Sequence, residues 1–225
     1  MSYKSRNKRQ ALFITVEGLE GSGKSSVIKY IYGLLKEKKF KVNVYREPGS
    51  TKIGEKIRKI LLDNKNKKLS SHTELLLYLA SRTQLIEEKI KIDMKRYDFI
   101  ICDRFFDSTL VYQGVALNLG KITEEAVKLF SLGVSPDLTF FLDTPVEDGL
   151  ARLTTKDRIE SRRSKTFQRK KLIYSTYSRN FSCHPFRLDN KQVRMVHLFY
   201  FFTIPANTTK IFLLLAINSS EYILN

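Results

Sequence analysis

Apolar residues along the chain form short continuous runs that alternate with helically spaced faces. The runs, each typical of a buried strand, are 12–16, 40–45, 97–102 and 138–142. The helical spacing occurs in 25–38, 53–61 and 73–94. Ile53 and Ile60 lie on one apolar helical face, and Leu76 is predicted to face inward. The acids after Thr123 indicate a further helix that starts there. This alternation predicts an α/β domain with a doubly wound parallel sheet flanked by helices, whose ligands lie at the carboxyl ends of the strands.

The end of the chain departs from this pattern. Two apolar runs, 197–204 and 211–217, are separated by a polar stretch that begins at Pro205. Neither run approaches the roughly 20 residues of a membrane span. A buried strand or helix and a poorly folded tail both fit these runs. We therefore divide the chain into a basic arm (1–10), one domain (11–190) and an atypical apolar tail (191–225).

Composition narrows the possible partners. The 225 residues carry a formal net charge of +17, which suits phosphorylated or polyanionic partners. No nucleic-acid-binding motif accompanies the charge, so most lysines are interpreted as solvated surface and no nucleic-acid partner is expected. The two cysteines, Cys102 and Cys183, form neither a CxxC motif nor a metal-ligand pattern. With no signal-peptide core and no membrane segment, these features predict a cytoplasmic protein.

A glycine-rich loop follows the first predicted strand. The sequence from Gly18 to Ser25 matches G-x-x-x-x-G-K-[ST] and precedes a predicted helix. In such loops backbone N–H groups point at phosphate oxygens, a lysine reaches the β- and γ-phosphates, and a hydroxyl holds Mg²⁺. The loop predicts a nucleoside triphosphate site formed by Gly18, Leu19, Glu20, Gly21, Ser22, Gly23, Lys24, Ser25 and Ser26, with Ser25 as a metal ligand.

Three further groups lie where a ligand crevice belongs. Arg46 ends the second predicted strand, and Asp103 with Arg104 follows the next, where the acid can support Mg²⁺ and the guanidinium can bind a phosphate. Tyr78 and Arg82 lie four residues apart on one helix and so share a face. An aromatic ring beside a guanidinium is a candidate clamp for a nucleobase.

Taken together, these motifs resemble those of bacterial-type thymidylate kinases. The resemblance rests on segments 13–26, 45–51, 77–82, 102–105, 112–114 and 157–160, and it extends from about residue 11 to about residue 175. It implies a P-loop NTPase-type fold with a mobile lid. It also implies transfer of a phosphoryl group from ATP to dTMP with Mg²⁺, and a homodimer.

The resemblance also implies individual roles. Residues that match dTMP-binding positions are Glu20 near the sugar and phosphate, Arg46 and Arg104 near the acceptor phosphate, Tyr78 stacked on thymine, Arg82 bonded to the base, and Thr109, Tyr112 and Gln113 around base and deoxyribose. The segment 152–163 matches the lid. Because the loop interior contains no arginine, the lid must supply one, and Arg152 and Arg158 are the candidates beside Lys24 and Arg104 in catalysis.

The similarity fades beyond Tyr174. Related proteins usually end in a polar amphipathic helix, whereas this chain ends in the apolar stretch 196–224. A shifted reading frame or a degenerated tail would produce such an end. Three alternatives therefore stand beside the leading function: a kinase for another nucleotide or deoxynucleoside, a nucleotide-binding protein without turnover, and, from charge alone, a nucleic-acid-binding protein.

Overall fold

The computed structural model describes residues 10–144, 146–152 and 158–159, together with strand segments at 183–187, 201–202 and 211–212. The chain forms two compact units, Met1–Arg187 and Leu188–Asn225. In the second unit β6 (Phe201–Phe202) pairs antiparallel with β7 (Ile211–Phe212). Each of the two apolar runs near the C-terminus therefore contains a short paired strand.

A five-stranded parallel sheet forms the centre of the first unit. Its strands are β1 (Leu12–Gly18), β2 (Val42–Arg46), β3 (Phe99–Asp103), β4 (Leu138–Asp143) and β5 (Cys183–Arg187). Their order is β2-β3-β1-β4-β5, and every neighbouring pair is parallel. Since β1 lies between β3 and β4, the chain winds away from it in both directions. A crevice is expected at the carboxyl end of β1, where the direction of winding changes.

Helices connect and flank these strands, as predicted. They are α1 (Lys24–Glu37), α2 (Lys52–Leu62), α3 (Ser71–Leu85), α4 (Lys91–Asp93), α5 (Phe106–Thr109), α6 (Gly120–Phe130) and α7 (Val146–Ala151). Two π-helical segments, Ile86–Ile90 and Leu110–Val115, follow α3 and α5. None of the helices in the described part of the chain is long and apolar enough to span a membrane.

Two predicted helix boundaries were wrong. The helix expected over 73–94 begins at Ser71 and changes to π-helical turns at Ile86. The helix expected to start at Thr123 starts instead at Gly120, directly after a turn in which Asn118 has φ +58°. Thr123 is fully buried, so its hydroxyl does not mark a solvent-facing helix start.

Three apolar side chains of the predicted helical faces lie on the surface, including Leu76, which was predicted to face inward. Ile53 is 51% exposed, Ile60 45% and Leu76 60%. The neighbouring Leu61 and Leu75 are buried and form the inner faces of α2 and α3. Helical spacing identifies an apolar face but does not show what covers it, and here part of the face remains uncovered within one copy of the chain.

Candidate active site

The glycine-rich loop connects β1 to α1. Gly21 and Gly23 adopt φ values of +71° and +90°, which side-chain-bearing residues rarely adopt. The Nζ atom of Lys24 donates hydrogen bonds to the carbonyl oxygens of Gly18 (3.2 Å) and Leu19 (2.8 Å). Burial, and next the nearby charge of Arg104, lowers the pKa of Lys24 to about 8. A polyphosphate bound at this loop would therefore stabilise the protonated form of Lys24, which burial disfavours.

The turn after β3 holds Arg104 in an unusual backbone conformation. Its φ is +70° although it is not glycine. The fully buried carboxylate of Glu17 stabilises this turn, because it accepts hydrogen bonds from the Phe105 N–H (2.7 Å) and the Ser108 hydroxyl (2.7 Å). Sequence reasoning missed Glu17, and the only signal for it was an acid inside an otherwise apolar strand.

Glu20, Arg104 and Tyr112 form one polar cluster beside the loop. The Tyr112 hydroxyl donates to Glu20 Oε1 (2.7 Å), and an amino nitrogen of Arg104 lies 3.5 Å from the same oxygen. The Arg104 guanidinium also lies over the Tyr112 ring, 5.2 Å from its centroid, and donates to Ser108 (3.0 Å). These contacts hold a cation in a defined position close to the expected phosphates.

Arg82 lies on α3 and is 1% exposed. Its Nε donates to Glu47 (2.8 Å) and its Nη2 donates to Thr109 (2.8 Å), while its guanidinium lies over the Phe105 ring. Nη1 is buried and has no hydrogen-bond partner among the described residues. The guanidinium is thus fixed on two sides and retains a donor group for a ligand.

Gln113 supplies a complementary acceptor. Its Nε2 donates to the buried carboxylate of Glu74 (2.8 Å). Because a carboxylate oxygen only accepts, this contact fixes which end of the Gln113 amide faces Glu74. Oε1 therefore points elsewhere, and in the described part of the protein it has no hydrogen-bond partner.

A cavity of about 390 Å³ joins the glycine-rich loop to these groups. Predicted residues that line it are Glu20, Gly21, Gly23, Lys24, Ser25, Ser26, Tyr78, Arg82, Asp103, Arg104, Thr109, Tyr112 and Gln113. It is also lined by Glu47 and Arg58, which sequence reasoning missed; Arg58 donates to the Pro48 carbonyl (3.0 Å). The cavity therefore contains loop, cationic, aromatic and amide groups in one continuous space.

Six predicted residues do not line this cavity: Gly18, Leu19, Ser22, Arg46, Arg152 and Arg158. The side chain of Arg46 is 52% exposed and forms an ion pair with Glu55 (3.0 Å). Arg158 is 8% exposed; it pairs with Glu74 (2.8 Å) and donates to the Leu61 carbonyl (2.7 Å). Burial against a carboxylate leaves Arg158 engaged away from the phosphate loop.

Only three residues of the predicted lid (152–163) are described: Arg152, Arg158 and Ile159. Arg152 Nη1 donates a hydrogen bond to the carbonyl oxygen of Gly21 in the glycine-rich loop (3.2 Å). Ile159 lines the cavity. The remaining lid positions lie outside the described residues.

Comparison with known proteins identifies the family. The family model described as thymidylate kinase matches residues 16–197. The thymidylate kinase of Thermosipho africanus is 47% identical over 152 residues, which are 66% of this chain and 75% of that protein. That of Lactobacillus delbrueckii is 39% identical over 186 residues, 80% of this chain and 86% of the relative.

A solved structure leads to the same family. The crystal structure of thymidylate kinase from Ehrlichia chaffeensis matches with a TM-score of 0.63 and 27% identity, and the match covers 79% of this chain and 93% of that one. The residues that the family model matches, 16–197, include both the glycine-rich loop and the residues that line the cavity. The family model, the related sequences and the matching fold agree, and this chain therefore belongs to the thymidylate kinase family.

Proposed function

We propose that this protein transfers the γ-phosphoryl group of ATP to dTMP and releases ADP and dTDP. Membership of the thymidylate kinase family supports both substrates. One observation supports the choice of base most directly. A buried donor on Arg82 and a buried acceptor on Gln113, neither of which has a hydrogen-bond partner among the described residues, belong to residues that line the same cavity as the phosphate loop.

This donor and acceptor fit the edge of thymine. Thymine presents a carbonyl oxygen at C4 and an N–H at N3, which match Arg82 Nη1 and Gln113 Oε1. Cytosine presents an amino group and an unprotonated nitrogen at the same positions, so it would place donor against donor and acceptor against acceptor. Leaving such buried groups unpaired costs about 1–3 kcal/mol each, which is enough to exclude cytosine nucleotides.

The aromatic residues of the cavity suit the rest of the nucleoside. Tyr78 lines the wall, and stacking on the base is the role that we assign to it. Tyr112 and Glu20 are joined by a hydrogen bond next to the loop. We assign them to the deoxyribose side, where the Tyr112 ring disfavours a ribose 2′-hydroxyl.

Phosphoryl transfer needs cations around both phosphate groups. Lys24, Arg58 and Arg104 all line the cavity. We assign Lys24 to the triphosphate and the two arginines to the acceptor phosphate. An oxygen of the dTMP phosphate attacks the γ-phosphorus in line, and the bond from that phosphorus to the β,γ-bridging oxygen breaks. Arg152, already in contact with the Gly21 carbonyl, is our preferred lid cation for the transferring group.

Two oxygen ligands in the cavity fit Mg²⁺. Asp103 Oδ1 is buried without a hydrogen-bond partner among the described residues, and Ser25 lines the same space. Magnesium typically takes one or two protein oxygens and completes its shell with phosphates and water. Asp103 and Ser25 would hold such an ion, whose charge would offset that of the phosphates.

We further propose a homodimer formed through the exposed apolar faces. Leu76 is 60% exposed, Leu129 67% and Phe130 37%. Leu76 and Phe130 line a common groove between α3 and α6. Burial of this area in a second copy would remove an apolar face from water. The cytoplasmic location and the absence of a nucleic-acid partner stay predictions.

The proposed reaction can be tested by ADP release from ATP and Mg²⁺ with dTMP, dUMP, dCMP or TMP (the ribonucleotide) as acceptor. Selective turnover of dTMP is expected. Arg104→Ala should abolish that turnover, whereas Arg96→Ala, a change at an exposed arginine outside the cavity, should leave it intact. Folded protein that binds ATP but phosphorylates none of the four acceptors would contradict the proposal.

A further inference from the structure

The orientation of the Gln113 amide depends on a buried ion pair that does not itself line the cavity. Glu74 is 1% exposed, and its two oxygens have different partners: Oε1 accepts from Gln113 Nε2 (2.8 Å) and Oε2 pairs with Arg158 (2.8 Å). Arg158 is anchored in turn by the Leu61 carbonyl (2.7 Å). The amide is therefore the last member of a chain of charged and polar contacts.

We propose that Glu74 and its counterion Arg158 are positioning residues that determine base specificity, because they force Gln113 to present an acceptor to the cavity. This inference rests on the proposed function. A glutamine amide can present either its oxygen or its NH₂ group, and the two ends are nearly equal in shape. Only the partner on the far side decides between them. An ionised carboxylate accepts at both oxygens, so it binds the NH₂ end and leaves Oε1 for the N3–H of thymine.

A single isosteric substitution should reverse this choice. In Glu74→Gln the side chain retains one oxygen, and the Arg158 guanidinium, which only donates, requires it. The amide N–H₂ of residue 74 then faces Gln113. Gln113 must turn to accept from it, and its own NH₂ group then faces N3 of the base. The cavity would now prefer a base with an acceptor at N3.

The probe for this change is the 5′-monophosphate of 2′-deoxy-5-methylisocytidine. This nucleotide keeps the C4 carbonyl and the 5-methyl group of dTMP, but its N3 is an acceptor and an amino group replaces the C2 carbonyl. Comparing kcat/KM for dTMP with that for the probe in each variant isolates the hydrogen bond at N3. A general loss of folding or catalysis lowers both values equally and leaves their ratio unchanged.

We expect wild-type protein to favour dTMP, and Glu74→Gln to reduce the dTMP-to-probe ratio by about 10- to 100-fold, as expected for one buried donor or acceptor that loses its match. The double variant Glu74→Gln/Arg158→Met provides the decisive rescue. Without the guanidinium, the amide at position 74 is free to offer its oxygen to Gln113. The ratio should then return toward the wild-type value.

Each outcome of this test has one meaning. An unchanged ratio in Glu74→Gln overturns the inference and assigns Glu74 a purely structural role. A reduced ratio without recovery in the double variant also overturns it, because Arg158 would not be what turns the amide. If Glu74→Gln does not fold, Glu74→Met/Arg158→Met replaces the pair by an apolar contact; its unanchored amide should lower the ratio, and an unchanged ratio again refutes the inference. Wild-type protein that does not phosphorylate dTMP would instead refute the proposed function.

Discussion

Replacing Gly21 by alanine is expected to damage the phosphate loop more than the same change at Gly23. Both glycines have left-handed φ values, +71° and +90°, so each alanine carries a backbone cost of about 1–2 kcal/mol. Their surroundings differ. A Cβ atom at Gly21 would lie 2.0 Å from the Gly149 carbonyl oxygen, whereas a Cβ atom at Gly23 has no heavy atom within 4 Å.

The extra cost at Gly21 follows from that contact. Real Cβ atoms essentially never approach closer than 3.0 Å, so the loop and α7 must separate by about 1 Å. Shifting packed backbone in this way costs about 1–3 kcal/mol. Gly21→Ala should therefore lose about 2–5 kcal/mol of stability and Gly23→Ala about 1–2 kcal/mol. At about 2–4 °C per kcal/mol, a difference of about 2 kcal/mol separates their melting temperatures by about 4–8 °C.

Thermal unfolding without nucleotide measures this difference, because no phosphate then contacts either added methyl group. ATP titration of Gly21→Ala provides a second measurement. Its backbone N–H groups should be displaced, and a misplacement of about 1 Å can cost about 100-fold in rate or affinity. Equal melting temperatures for the two variants would refute the argument that close packing of Gly21 against Gly149 shapes the loop.

Three further predictions concern charge, helix stability and assembly. Because the buried Lys24 has a pKa of about 8 and must be protonated to bind phosphate, kcat/KM for ATP should fall as pH rises through about 8, and a flat profile up to pH 10 would contradict this. Gly33→Ala, inside α1 with open space around the added methyl group, should raise the free energy of unfolding by about 0.5–1 kcal/mol in urea titration. Leu76→Glu should convert a dimer to monomer in analytical ultracentrifugation, whereas Ile92→Glu, at a 42% exposed position on α4, should not; dimer retained in both would refute the assigned interface.

Features that depend on residues close together in the sequence could be predicted from the sequence alone. The phosphate loop is contiguous from Gly18 to Ser25, and its pattern alone predicted that Lys24 binds phosphate. Four strands of the sheet, β1 to β4, were likewise visible as short apolar runs, since a parallel strand covered on both faces has few polar residues. The fifth strand, Cys183–Arg187, contains histidine, proline and arginine and is not such a run. The family resemblance added Arg82 and Gln113 as base-binding candidates.

Long-range partners could not be predicted from sequence patterns. Glu47 binds Arg82 across 35 positions and Glu17 binds the Ser108 hydroxyl across 91, and no local spacing connects such pairs. Arg158 was expected at the phosphates because an arginine in a lid motif suits that role, but its actual partner, Glu74, lies 84 positions earlier in the sequence. The inward assignment of Leu76 was wrong for a related reason, because periodicity does not distinguish a core face from an exposed apolar face.

The most direct test of the central claim is a competition for limiting ATP. The full chain is mixed with Mg²⁺ and equal concentrations of dTMP, dUMP, dCMP and TMP (the ribonucleotide), and the diphosphate products are separated by chromatography. If Arg82 and Gln113 read the base as proposed, dTDP should be the dominant product and dCDP should be absent. Comparable amounts of dTDP and dCDP, or ADP formed without any nucleoside diphosphate product, would contradict the account.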